Sequence, residues 1–266
     1  MYDCFKRKIN YLRVSVTDRC NLRCIYCMPE SGVKLLPHNE ILSFAEIIEV
    51  VKYGVEHGIN KVRITGGEPL VRKGIVELTA MIANINGITD LAMTTNGILL
   101  TKYAADLVKA GLQRVNISLD TLNAEKFNTI TRVGNLSEVL KGIEAAQKAG
   151  LSPIKLNCVI KNSSMEPDAQ QVAEFAKQNG FHVRFIPEMD LGKGEFGIVE
   201  GGDGGNCAIC NRLRLTANGL LKPCLFNDLA YNVRELGIEE AYNKALKNKP
   251  LTGHKNKTGN FYNIGG

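Results

Sequence analysis

The stretch that decides the fold is Tyr11-Leu-Arg-Val-Ser-Val-Thr-Asp-Arg-Cys-Asn-Leu-Arg-Cys-Ile-Tyr-Cys-Met28. Its first half alternates apolar Leu12, Val14 and Val16 with polar Arg13, Ser15 and Thr17, the period of a strand with one packed face and one polar face. Its second half sets Cys20, Cys24 and Cys27 in a C-x3-C-x2-C array directly past that strand. In βα barrels, sites are built from the loops at the C-terminal strand ends.

The same unit recurs along the chain. Strands are expected at Tyr11 to Val16, Lys61 to Thr65, Asp90 to Thr94, Arg114 to Ser118, Ile154 to Val159 and His182 to Ile186. The helices between them end near Gly58, Gly87, Gly111, Gly150 and Gly180, where a left-handed cap is cheapest for glycine. Ser43 and Glu46 form a capping box at the start of the first helix, and Val139, Leu140, Ile143 and Ala146 lie at helical spacing after Ser137. Six units predict an α/β fold, a partial (βα)6 TIM-like barrel occupying 1–191; a flat doubly wound sheet fits the same order of elements. Residues 192–266 read as a second, C-terminal domain. They include a Gly-rich run, a short strand at Phe196 to Val199, a helix around Glu239 to Lys247 and a polar tail.

If the barrel closes around the polar faces, its lumen is basic. Arg13 lies on the inward face of the first strand, Arg63 and Thr65 on that of the second, Asn116 and Ser118 on the fourth, Lys155 and Asn157 on the fifth, and Arg184 on the sixth. A sheet covered on one side only would instead turn them to solvent. The turn Gly66-Gly-Glu-Pro69 follows the second strand; its glycines permit close backbone approach to a ligand, and its carboxylate can pair with an ammonium group.

Eight cysteines and a net charge of +6 accompany a sequence with no apolar run long enough to span a membrane, and no secretory leader is expected from its opening residues, Met1 to Lys8. The expectation is a cytoplasmic protein whose cysteines serve metal or redox chemistry. Three thiolates on one short loop can each bind an iron of a cubane cluster and leave the fourth iron open, whereas structural zinc prefers four ligands. Cys207, Cys210 and Cys224 form C-x2-C-x13-C, a spacing that leaves iron–sulfur and zinc both open. His254, Cys158 or Cys4 are candidate fourth ligands for zinc, though Cys158 also reads as a small core residue.

At these residues the chain resembles the radical S-adenosylmethionine (SAM) superfamily, and within it the family of molybdenum cofactor biosynthesis protein A, the GTP 3′,8-cyclases. The segments that carry the resemblance are 11–20, Arg63-Ile-Thr-Gly-Gly-Glu-Pro-Leu-Val-Arg72, Thr94-Thr-Asn-Gly97, Arg114-Val-Asn-Ile-Ser-Leu-Asp120, Cys210-Asn-Arg-Leu-Arg-Leu-Thr216 and the terminal Gly265-Gly266. The resemblance implies a lyase with two [4Fe-4S] clusters, a SAM-binding one on Cys20, Cys24 and Cys27 and an auxiliary one on Cys207, Cys210 and Cys224. It further implies SAM contacts from Gly66, Gly67, Glu68, Thr94 and Ser118, and GTP contacts from Arg13, Lys155, Arg184, Arg212 and Arg214. The implied chemistry is reductive cleavage of SAM, hydrogen abstraction from the ribose of GTP, and ring closure at guanine C8. Implied partners are an electron donor such as flavodoxin or ferredoxin, the next enzyme of molybdopterin synthesis and a second copy in a homodimer; nucleic acid and membrane are not expected. Other readings are a radical SAM enzyme with another substrate, such as a peptide, and a non-catalytic cluster-binding paralogue. Two departures stand out. The family carries several tens more residues between the sixth strand and the second cysteine group, and its Arg-Phe-Ile-Glu is here Arg184-Phe-Ile-Pro187 followed by Glu188.

Overall fold

The computed structural model describes residues 1–258 and 261–264. The terminal Gly265-Gly266 lies outside them. Six strands, β1 (Tyr11–Ser15), β2 (Lys61–Thr65), β3 (Asp90–Thr95), β4 (Arg114–Ser118), β5 (Ile154–Ile160) and β6 (His182–Pro187), pair in parallel and in sequence order. Beyond β1, β7 (Arg212–Leu215) pairs in parallel, and the antiparallel β8 (Leu220–Lys222) and β9 (Tyr231–Asn232) complete a nine-stranded sheet. An order without reversal excludes the doubly wound alternative, which needs a switch point. Right-handed crossovers between neighbours place the helices that join β1 to β6 on one face, so the sheet curls around the other. Because β6 and β9 stand at opposite ends of the order, the barrel is partial.

The helices are α1 (Phe44–Glu56), α2 (Ile75–Ala83), α3 (Leu100–Lys109), α4 (Ala124–Thr131), α5 (Leu136–Lys148) and α6 (Pro167–Gln178). The capping box of α1 forms as its sequence predicts, with the Ser43 side chain accepting from the Glu46 amide and Glu46 accepting from the Ser43 amide at 2.7 Å. Gly58 follows α1 at φ +103°, a backbone angle that a side chain would resist. The apolar strand faces meet the helices: Leu12, Val14, Ile64, Val115, Ile117, Leu156 and Cys158 are fully buried, together with Ile47, Val51, Leu78, Leu107 and Val139. Cys158 is thus a core residue. Arg72 closes the β1 end of this layer, donating to the carbonyls of Val16 and Leu42 while its guanidinium lies over Phe44.

Four features differ from the sequence reading. Two helices, not one, join β4 to β5; α4 is short and buries only Phe127 and Thr131, so its apolar stripe is thin. Phe196 to Val199 forms no strand. It lies between two isolated antiparallel bridges, Asp190 with Glu195 and Phe185 with Glu200, that fold the Gly-rich run back over the outer edge of β6. The residues after Leu191 extend the barrel's own sheet through β7. The polar tail ends in α9 (Phe261–Ile264), which joins a small apolar cluster of Leu191, Leu225, Phe226 and Ile264. Between these come α7 (Val233–Leu236) and α8 (Ile238–Lys247), the latter at the expected helix. No helix of the described residues is long and apolar enough to cross a membrane.

The fully buried Ile64 joins sheet and helix layer, so Ile64→Ala is expected to lower unfolding free energy by about 2–5 kcal/mol in urea denaturation.

Candidate active site

At the C-terminal ends of the strands, a cavity of about 200 Å³ is lined by Cys20, Cys24 and Cys27 and by all five expected SAM contacts, Gly66, Gly67, Glu68, Thr94 and Ser118. Backbone pairing fastens the cysteine loop there: the Gly67 amide donates to the Thr17 carbonyl at 2.7 Å and the Glu68 amide to the Arg19 carbonyl at 2.8 Å. The two glycines are needed mainly for this clamp. A Cβ on Gly66 would stand 2.7 Å from the Thr17 oxygen, and one on Gly67 would collide with the Arg19 carbonyl. Asn96 adds a bond to Asn21 at 2.7 Å. Arg132, at φ +64°, donates to the carbonyls of Arg23 and Met28, which flank Cys24 and Cys27.

The mouth strongly disfavours uncompensated negative charge. Burial, with Asp120 and Cys20 adding repulsion, pushes the Cys24 thiol up to about 12; burial and its cysteine neighbours do the same to Cys27. Three thiolates can share this loop only with a cation among them, which is what an iron cluster supplies. Burial also lifts Glu68 to about 7 and Asp120 to about 6. Glu68 accepts from the Leu70 amide, Thr95 hydroxyl and Asn96 amide, leaving room for about one more donor. Asp120 accepts from Tyr26 at 2.9 Å and from the Val159 amide at 2.8 Å, tying the cysteine loop to β5. The Thr94 hydroxyl and the Asn157 amide oxygen line the cavity buried and without a hydrogen-bond partner among the described residues. A polar ligand carrying an amino acid head group and a nucleoside, as SAM does, meets these groups.

Below the mouth the lumen is basic. Arg13 stands in register with Arg63 on one side and Arg214 on the other, across three adjacent strands. Burial and like-charge neighbours drive Arg13 well below its usual range; burial brings Arg63 and Arg214 down to about 10. Lys155 and Arg184, on β5 and β6, are lowered by burial too, and Arg184 repels Lys155. The Tyr11 ring lies between the guanidiniums of Arg63 and Arg212, at 5.3 and 5.9 Å. Asp90 holds Arg114 in a bidentate pair at 2.8 and 2.7 Å, and Asn116, with its amide oxygen turned inward, accepts from Arg63. All five basic residues expected at the substrate therefore lie on barrel strands.

The second cysteine group sits at the opposite end. Arg212 pairs with Tyr11, the first residue of β1, so Cys210 lies at the N-terminal base of the sheet; Cys224 follows β8 as it runs back toward that base. Burial would raise the Cys210 thiol, but the charges of Lys249 and Arg212 leave it below its usual value. Among the described residues, no three His, Cys, Asp or Glu side chains converge as around a single ion. Three thiolate donors, Cys207, Cys210 and Cys224, are the ligand type an iron–sulfur cluster takes.

A curled parallel sheet with three cysteines at its mouth defines a class, and the comparisons agree. The model of the radical SAM superfamily matches residues 14–181, and that of Molybdenum Cofactor Synthesis C matches 155–262. Among solved structures, native anSMEcpe with bound AdoMet is similar in fold, at TM-score 0.65 and 18% identity over 90% of this chain and 81% of that one. Streptococcus suis SuiB bound to precursor peptide SuiA gives 0.66 and 16% over 92% and 66%. Two relatives narrow the class: the GTP 3′,8-cyclase of Thermodesulfovibrio yellowstonii is 43% identical over 89% of this chain and 88% of its own, and that of Petrotoga mobilis 41% over 95% and 94%. The chain belongs to the GTP 3′,8-cyclase family of radical SAM enzymes, whose cofactors are SAM and 4Fe-4S clusters. The 282 positions aligned with the first relative take in roughly 237 of these 266 residues, so roughly 45 of its positions have no counterpart here.

Sequence reasoning missed several lining residues. Tyr26, Asn96, Asp120, Met189 and Phe261 line the cavity, the last delivered from the tail by folding alone. Glu188, displaced by one position from the family's acidic residue, still lines the mouth. Arg63 was legible as inward-facing but was not assigned to the substrate.

The pH response of the ligand-free chain follows from the two buried carboxyls. A carboxyl whose folded pKa is raised adds stability below its ordinary range near 4.5 and loses it as pH climbs through about 7 for Glu68 and about 6 for Asp120. The urea midpoint should therefore fall between pH 5 and 7.5, and Glu68→Gln should flatten the fall; an equally steep curve in the variant would contradict the assignment.

Proposed function

We propose that the chain converts GTP to (8S)-3′,8-cyclo-7,8-dihydroguanosine 5′-triphosphate in molybdenum cofactor biosynthesis. The observation that carries this reading is the in-register row Arg214, Arg13 and Arg63 lying between two separate three-cysteine groups. Guanidiniums are strong ligands for phosphate oxygens, and a triphosphate held on this row leaves the rest of the substrate to extend along the strands. The four rises of β1 alone amount to about 13 Å, a distance suited to an elongated nucleotide rather than a compact metabolite.

In this reading Cys20, Cys24 and Cys27 hold the SAM-binding cluster, and Cys207, Cys210 and Cys224 hold the auxiliary one. Residues 1–191 serve SAM and 192–266 the second cluster, a division of labour within one continuous sheet. When bound, SAM and the first cluster supply one-electron hydrogen-abstraction chemistry. The protein's part is placement: Gly66, Gly67, Glu68, Thr94 and Ser118 orient SAM, while Arg13, Lys155, Arg184, Arg212 and Arg214, with Arg63 added, fix the triphosphate so that the ribose faces the mouth. The short link folded over β6 and the tail residue Phe261 limit solvent at the open side. The reaction needs a one-electron donor of the flavodoxin or ferredoxin class, consistent with a cytoplasmic location, and its product passes to the next enzyme of the pathway. A homodimer belongs to this reading through the resemblance only.

Anaerobically reconstituted protein should hold about eight irons per chain and, with reductant, SAM and GTP, yield 5′-deoxyadenosine together with a cyclised GTP product. SAM cleavage with GTP left intact would sink the cyclase reading while sparing the superfamily.

A further inference from the structure

Lys249 is buried to 2% exposure at the base of the barrel, two residues past α8. Its ammonium donates to the Cys210 sulfur at 3.4 Å, the Arg212 carbonyl at 2.8 Å and the Pro223 carbonyl at 2.6 Å. An ammonium has three donors, and all are used. Two lie next to cysteines of the second group: Arg212 is two residues past Cys210, and Pro223 immediately precedes Cys224. No salt bridge joins Lys249 to a carboxylate among the described residues.

A buried charge is retained only where an opposite charge compensates it. Of the three partners, the one able to carry a negative charge, as a cluster ligand does, is the sulfur of Cys210. Arg7 supports the same corner, donating to the Cys207 carbonyl at 2.6 Å and to the carbonyls of Pro250 and Leu251 just past Lys249. The lysine segment is thereby strapped to both halves of the cysteine group.

We infer that Lys249 is the positioning cation of the second cluster: it fixes the Cys210 and Cys224 segments to each other, and its charge offsets that of the ligating thiolates. This rests on the assignment of Cys207, Cys210 and Cys224 to a cluster. Outer-shell hydrogen bonds to ligands orient them and tune the metal group. A positive charge against the sulfur favours the more reduced, more negative state, so its loss lowers the cluster's potential.

The test uses reconstituted holoprotein, with the second cluster recognised as the EPR signal that SAM does not perturb. In Lys249→Met its midpoint potential should fall and its iron pass to a chelator at least several-fold faster than in the wild type. Lys249→Arg should restore both in part, and the SAM-sensitive signal should stay unchanged in each. Unchanged potential and chelator rate in Lys249→Met, with eight irons present, would overturn the inference. If that variant does not fold, wild-type protein labelled with 15N at lysine Nζ should show nitrogen coupling to the reduced second cluster in pulsed EPR, and its absence would be equally decisive against it. Wild-type protein with only about four irons per chain would instead refute the assignment of the cluster on which the inference rests.

Discussion

Three arginines in register across adjacent strands, Arg214, Arg13 and Arg63, are the constraint to which the rest of the structure answers. Like charges side by side in a partly desolvated lumen repel, and burial lowers the proton affinity of each. The apolar faces of the same strands provide the offset: Leu12, Val14 and Ile64 are fully buried against the helices. The barrel thus encloses a cationic channel suited to an anion.

The two cysteine groups at the ends of this channel are held by a common device. At the mouth, Arg132 reaches from the end of α4 to carbonyls flanking Cys24 and Cys27. At the base, Lys249 and Arg7 reach carbonyls beside Cys224 and at Cys207. In each case a cation from a distant part of the chain grips the backbone next to the thiols, so their placement is fixed by tertiary structure rather than by the loop's own stiffness. The glycine turn after β2 completes the mouth by admitting the Thr17 and Arg19 carbonyls where a side chain would exclude them.

Much of this could be read from the sequence. The six barrel strands fall within two residues of their expected limits, because each alternates with period two and the helices before β2 to β6 are followed by glycines in the left-handed region, Gly58, Gly87, Gly111, Gly150 and Gly180. The inward basic residues were legible for the same reason. Arg212-Leu-Arg-Leu215 carries the same alternation, yet its four residues give a weak signal, and pairing with β1 on one side and β8 on the other makes it a strand. Phe196 to Val199 erred in the other direction: its composition suits a strand, but Gly197 packs on Pro187 and the segment has a bridge on either side rather than a partner strand. Phe261 at the mouth and Lys249 against Cys210 are products of long-range folding, and no local pattern marks either one.

In the proposed function the basic lumen recognises the triphosphate. The most direct measurement of this is anaerobic equilibrium binding of GTP and of guanosine to the reconstituted protein at fixed ionic strength. GTP should bind at least a hundred-fold more tightly than guanosine, with an advantage that shrinks as salt rises. Equal affinities for the two would contradict it.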